Sequence, residues 1–176
     1  MSIRRWLGLT DQPSAPSVDS LVEIERALEN LDPARARYLA CFAYILSRAA
    51  RADHAISDVE SRVMETIVTE RGGIPLEQAR VILKIAQTTG LRAGGTDDFL
   101  VTREFDRVAD RPGKLALLEC LFAVSASDQS IGTVEDNEIR RIATELKLEH
   151  TDFIAARVAH LRHFEVLRNK KEGDTQ

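Results

Sequence analysis

An all-α fold is predicted by three features of the 176-residue chain: apolar residues recur at helical spacing in each long segment, no useful length alternates with period two, and one helix-loop-helix pattern occurs twice. Composition agrees, with 44% hydrophobic, 30% charged and only 5% aromatic residues, nine Gly and five Pro. The length suits one domain that buries its core without disulfides or metal staples. The expectation is a single helical bundle of about seven to eight helices built from two helix-loop-helix repeats, spanning residues 18–171. Residues 1–17 are read as an N-terminal segment and linker, and 172–176 as a polar tail.

The chain opens with SIRRWLGL, followed by DQPSAPS, whose prolines and small polar residues mark a linker. Trp6, Leu7 and Leu9 beside Arg4 and Arg5 make residues 1–9 either a frayed end or a small anchor for a membrane surface or a partner. Val18 to Asn30 reads as a helix with Leu21, Ile24, Ala27 and Leu28 on one face. Asp32-Pro33 then supplies an N-cap and a first helical residue. From Pro33 to Ala52, the spacing of Tyr38, Phe42, Ile45 and Ala49 predicts a core helix, widened by Cys41 and Leu46.

Val59, Val63, Met64, Ile67 and Val68 predict the next helix, stopped by Gly72-Gly73. Pro75 begins another, with Ala79, Ile82, Leu83 and Ala86 as its face, ending at Gly90. After the Gly94-Gly95 divide, Phe99, Leu100, Val108 and Phe105 are assigned to a less regular helix. Pro112 starts a stretch that is apolar almost all round, from Leu115 through Leu117, Leu118, Leu121 and Phe122 to Val124, the pattern of a central buried helix. Val134, Ile139, Ile142, Ala143 and Leu146 form the following stripe, and Phe153, Ile154, Val158, Leu161, Phe164 and Leu167 the last.

A formal charge of −4 provides no global basic field for phosphates, so nucleic acid is not an expected partner. The longest apolar runs are too short for a transmembrane segment, and no signal peptide is recognisable, which predicts a cytoplasmic protein. Cys41 and Cys120 lie in apolar runs without ligand-spaced partners and are read as reduced core thiols. Neither double glycine has the lysine-serine tail of a phosphate loop, and no nucleophile is accompanied by a base and an orienting group.

The repeated motif carries the candidate site. Asp53 to Glu60 (DHAISDVE) and Asp128 to Glu135 (DQSIGTVE) share D-x-x-I-x-x-V-E, and a shift of 75 positions also superposes Leu46 on Leu121 and Ile67 on Ile142. Beyond Glu145 the register needs a one-residue gap. Asp53, Glu60, Asp128 and Glu135 would place four carboxylates together if the loops converge, a donor set suited to Ca²⁺ or Mg²⁺. Alternatively the acidic residues only cap helices: Ser57-x-x-Glu60 fits a capping box, Gly132 breaks it in the second copy, and Thr133 with Asp136 is a weaker substitute. An EF-hand is excluded, because Met64 and Ile139 stand at the twelfth positions, where a bidentate Glu is required, with Ala55 and Ser130 at the third positions.

Ala52 to Glu60 and Ser127 to Glu135, each preceded by a buried helix, resemble the tellurite-resistance protein TerB family, which includes the amino-terminal domain of the DjlA co-chaperones. The resemblance covers roughly Pro33 to Leu167. It implies a single helical-bundle domain, a divalent-metal site on Asp53, Glu60, Asp128 and Glu135, and association with bacterial stress response. His54 and Gln129 stand where the family commonly has Gly. The expected function is therefore a stress-response or sensing module that binds a divalent cation and a protein partner. The alternatives are a partner-binding scaffold or co-chaperone accessory domain with purely capping motifs and, third, a metal-dependent hydrolase.

Overall fold

The computed structural model describes Ile24 and residues 26–50, 58–89, 96–125 and 133–159. Residues 26–29 are helical, followed by α1 (Pro33–Ala50), α2 (Asp58–Glu70), α3 (Leu76–Thr89), α4 (Thr96–Val108), α5 (Arg111–Ser125) and α6 (Thr133–Glu145); residues 150–159 are helical again. Among the described residues the fold is all-α, as predicted.

Local chemistry sets the helix ends. Asp32 Oδ2 accepts hydrogen bonds from the amides of Ala34 and Arg35 at 3.0 and 3.1 Å, capping α1 with Pro33 as its first residue. Asp110 does the same for α5 through the Gly113 amide at 2.9 Å, so this helix begins one residue before Pro112. Pro75 precedes α3 rather than opening it, its carbonyl accepting from Gln78 and Ala79. At the end of α2, Gly73 adopts φ +59°, and a Cβ on Gly72 would lie 2.4 Å from the Val68 carbonyl oxygen. Both glycines are therefore required by the turn.

α6 ends differently, in a Schellman turn. Lys147 takes the left-handed position at φ 58°, while the amides of Lys147 and Leu148 bond the carbonyls of Thr144 and Ala143, each at 3.0 Å. The turn is tied down laterally by Asp106 of α4, which accepts from both Lys147 and Lys114 of α5.

The core forms around α1, which packs against α3, α4, α5 and α6, while α2 lies on α3 and α5. From Leu39 to Arg48 every residue of α1 is buried. Phe42, Ile45 and Leu46 share one core cluster with Leu117, Leu118 and Leu121, as the matched register predicts. Tyr38 and Phe105, with ring centroids 5.1 Å apart, join α1 to α4; Phe122 and Phe153, at 5.3 Å, join α5 to the segment 150–159. Cys41 and Cys120 are free and buried.

Several assigned core residues face outward instead. Val134 is 79% exposed because the inner face of α6 is set by Ile139, Ile142 and Ala143, and five residues back from Ile139 lies far round the helix. α4 is a regular helix whose inner face is Asp98, Val101, Thr102 and Phe105, leaving Phe99 and Leu100 exposed. Val63, Ile154 and Val158 also lie at the surface, each beside the stripe it was assigned to. The assignments to Leu21, Leu161, Phe164, Leu167, residues 1–9 and the polar tail lie outside the described residues.

Candidate functional site

The two copies of the acidic motif meet helices of identical register. α2 runs from Asp58 to Glu70 and α6 from Thr133 to Glu145, so both ends differ by 75 positions, as do the last residues of α1 and α5, Ala50 and Ser125. Glu60 and Glu135 are each the third residue of their helix, where the exposed amides of a helix N-terminus favour negative charge. The gap expected after Glu145 falls in the turn: Gly73 and Lys147, 74 positions apart, hold the corresponding left-handed residues.

Of the four candidate ligands, Glu135 is described with a partly buried side chain, and Glu60 only by its helical backbone. Asp53 and Asp128 lie outside the described residues, as do Ser57 and Gly132 of the expected caps. Asp136, read as a substitute cap with Thr133, instead accepts a 2.7 Å bond from Arg157 Nε and pairs with Arg140 at 3.6 Å. It ties α6 to the helical segment 150–159.

A buried arginine adjoins this region. Arg48, in the last turn of α1, has a side chain only 1% exposed. Its Nη2 and Nε donate to Glu138 Oε1 at 2.6 and 2.9 Å, and its Nη1 donates to Thr102 Oγ1 at 2.6 Å and to Glu145 Oε2 at 3.1 Å. Asp98 Oδ1 is 3.9 Å from Arg48 Nε and accepts the Tyr44 hydroxyl at 2.9 Å. Thr102 Oγ1 also donates to the Asp98 carbonyl at 2.8 Å. One guanidinium thus links α1, α4 and α6.

Burial works against the charge of Arg48, but Glu138 and then Glu145 outweigh it and hold the guanidinium above its ordinary value. Sequence reading missed this group, because Arg48 stands at the end of an apolar run where a charged residue reads as a helix-terminal cation. The available clue was spacing: Tyr44 and Arg48 are four apart and so share one helix face.

The family model described as tellurite resistance protein TerB matches residues 39–158, which include both acidic motifs, the arginine group and all the helices from α2 to α6. The chain belongs to the TerB family. No curated protein and no solved structure matches it. The resemblance carried by Ala52 to Glu60 and Ser127 to Glu135 is thereby established as family membership.

In this TerB-family chain the candidate donors are all carboxylates, the hard oxygen ligands that Ca²⁺ and Mg²⁺ take, so their chemistry fits a divalent cation. A further oxygen lies near in sequence: Ser125 Oγ is buried, has no hydrogen-bond partner among the described residues, and precedes Asp128 by three positions. Among the described residues no group of three or more His, Cys, Asp or Glu could hold a metal ion. Nor is any helix among them long and apolar enough to cross a membrane.

Proposed function

We propose that this protein is a non-enzymatic, cytoplasmic TerB module of a bacterial stress-response system, related to tellurite resistance or to sensing, that binds Ca²⁺ or Mg²⁺ through Asp53, Glu60, Asp128 and Glu135 and acts through a protein partner. The observation that carries this reading is the shared register of α2 and α6, which puts Glu60 and Glu135 at equivalent places in two helix first turns. Two carboxylates at repeat-equivalent helix starts are a matched pair of hard oxygen donors, of the kind Ca²⁺ and Mg²⁺ take. A site of few ligands on two loops belongs to the weak class of oxygen sites, with Kd about 10⁻⁴ to 10⁻³ M.

Calorimetric titration of metal-stripped protein with each ion tests the proposal, alongside the double variant Asp53→Asn, Asp128→Asn. The amides keep size and much of the turn bonding while removing two charges. Binding in the parent that is lost in the variant is the expected result. An unchanged response in the variant, or none in the parent at millimolar ion, overturns it.

One observation favours a second reading, a partner-binding scaffold or co-chaperone accessory domain whose motif acids only cap helices. This chain uses acids that way elsewhere: Asp32 and Asp110 cap α1 and α5, and Asp152 Oδ2 accepts the Glu149 amide at 3.0 Å, half of a capping box. In that case Asp53→Asn with Asp128→Asn changes stability alone.

A further inference from the structure

We propose that the outer face of α4 is a docking surface for an acidic amphipathic helix of a partner protein, with Phe99 and Leu100 as its apolar end and Arg103, Arg107 and Arg37 as its cationic end. The proposal deepens the partner part of the reading above, which the cation and scaffold alternatives share, and it involves no metal ion.

Position on the helix defines the face. α4 packs on α1 and α6, and its buried side carries Asp98, Val101, Thr102 and Phe105. At about 100° per residue, Phe99, Leu100, Arg103 and Arg107 fall within one arc of about 100° on the opposite side. Phe99 and Leu100 each keep 47% of their surface exposed, and both arginines are exposed. Along the axis the four span about 12 Å, at about 1.5 Å per residue, a length that a partner helix of about two to three turns covers. A single exposed apolar side chain is ordinary on a protein surface. Here two adjoin, and the Arg103 guanidinium carbon lies 6.0 Å from the Phe99 ring centroid, so the apolar and cationic parts are continuous.

Charge specifies what fits. Asp98 turns inward to the Tyr44 hydroxyl, and the carboxylates that border the outer face among the described residues, Glu104 and Asp106, are each held between two cations. Glu104 accepts from Arg37 at 3.3 Å through Oε1 and from Arg107 at 3.2 Å through Oε2. Asp106 accepts from Lys114 and Lys147. With Arg103, five cations stand against these two carboxylates, a locally basic surface on a chain whose net charge is −4. Glu104 also ties Arg37 of α1 alongside Arg107 and uses one N–H of each guanidinium. Their other donors suit the carboxylates of a partner.

The spacing narrows the partner further. A helix with a large apolar residue and carboxylates four and eight positions from it matches Phe99, Arg103 and Arg107, which are themselves four and eight positions apart. An anionic bilayer fits less well, because it would face the net negative charge of the whole molecule with two apolar side chains to insert. A docked helix meets the basic face alone.

Fluorescence anisotropy with labelled helical peptides, at about 0.1 M salt, tests the proposal. One peptide carries leucine followed by glutamates four and eight positions on, and a second carries the reverse order, so that both directions of docking are covered; a third replaces the glutamates by lysines. The expected result is that one glutamate peptide binds at least about tenfold tighter than the lysine peptide. The double variant Arg103→Glu, Arg107→Glu and the single variant Phe99→Ser each weaken that binding about tenfold or more, while Arg80→Glu, an exposed charge on α3, leaves it unchanged. No uptake of either glutamate peptide overturns the proposal, as does binding equally sensitive to Arg80→Glu. Binding to phosphatidylserine vesicles through these α4 residues, without peptide binding, overturns it in favour of a lipid surface. Dimerisation in sedimentation that the double variant abolishes overturns it in favour of a second copy of this chain. Should the charge-reversal variant not fold, Arg103→Gln with Arg107→Gln decides by the same criteria. The Ca²⁺ titration above is independent of all these outcomes, so failure of this surface and failure of the cation reading are read separately.

Discussion

Arg48 Nη2 lies 2.6 Å from Glu138 Oε1 although the residues are 90 positions apart, and this contact joins the end of the first repeat's core helix to the start of the second repeat's acidic helix. Arg48 is almost wholly buried, whereas Glu138 retains some exposure. Removing the carboxylate leaves a buried cation with Glu145 and Thr102 as its remaining close side-chain acceptors. Glu138→Ala is therefore expected to destabilise the protein by about 1 to 3 kcal/mol, less than the loss of a fully buried pair. Denaturant titration checks it, and a change near zero would show that Glu145 and Thr102 suffice.

Leu121 of α5 is completely buried in the core cluster that also holds Phe42, Ile45 and Leu46 of α1. Leu121→Ala is expected to cost about 2 to 5 kcal/mol, the range set by how far the neighbours relax into the cavity. A near-neutral midpoint in the same titration would place this residue outside the core.

The turn after α2 depends on two glycines for different reasons. Gly73→Ala forces a Cβ into the left-handed region, at a cost of about 1 to 2 kcal/mol. Gly72→Ala meets the Val68 carbonyl instead, so the backbone must move, and the loss is expected to be at least as large. Thermal melts of the two single variants distinguish strain from tolerance.

Asp106 supplies a pH dependence. Burial raises its pKa, but the hydrogen bonds and charges of Lys114 and Lys147 together outweigh burial and hold the carboxyl below its ordinary value. A carboxylate depressed in the folded state contributes stability above its unfolded pKa and loses that contribution as pH falls through the folded pKa. Stability is thus expected to fall through and below the ordinary carboxylate range, and Asp106→Asn to flatten that acid limb. Parallel acid limbs in variant and parent would refute the assignment.

The Cys120 thiol is pushed up to about 12, first by burial and then by the nearby Glu119 carboxylate. Burial, then Glu104, pushes Cys41 upward as well. Neither forms thiolate at neutral pH. A thiol-specific reagent is expected to label neither cysteine in the native protein and both after unfolding, which mass spectrometry reads directly.

Much of the fold was legible in local sequence because the signals are local in origin. Asp32-Pro33 caps and starts a helix through its own side chain and ring, and Gly72-Gly73 ends one because only glycine fits that turn. The shift of 75 positions is kept in three dimensions, with α2 and α6 of equal length and both packed on α5. Helical spacing likewise identified Leu117, Leu118 and Leu121 as core. Glu60 and Glu135 were legible as equivalent helix-start acids for the same reason.

Tertiary packing decided the rest. Val134 and Ile139 have the same apolar character, yet the rotation of α6 against α1, α4 and α5 exposes one and buries the other. Asp136 could cap its own helix, but Arg157 lies close enough to take its carboxylate. Glu138 and Glu145 share a helical spacing, but nothing in the order of residues ties them to Arg48 or Asp98, since three different helices bring the group together across as many as 97 positions. The amino-acid order determines where helices begin, end and present apolar stripes, through interactions within a few residues; which polar groups meet depends on how those helices rotate and cross, and that is fixed only when the whole core packs.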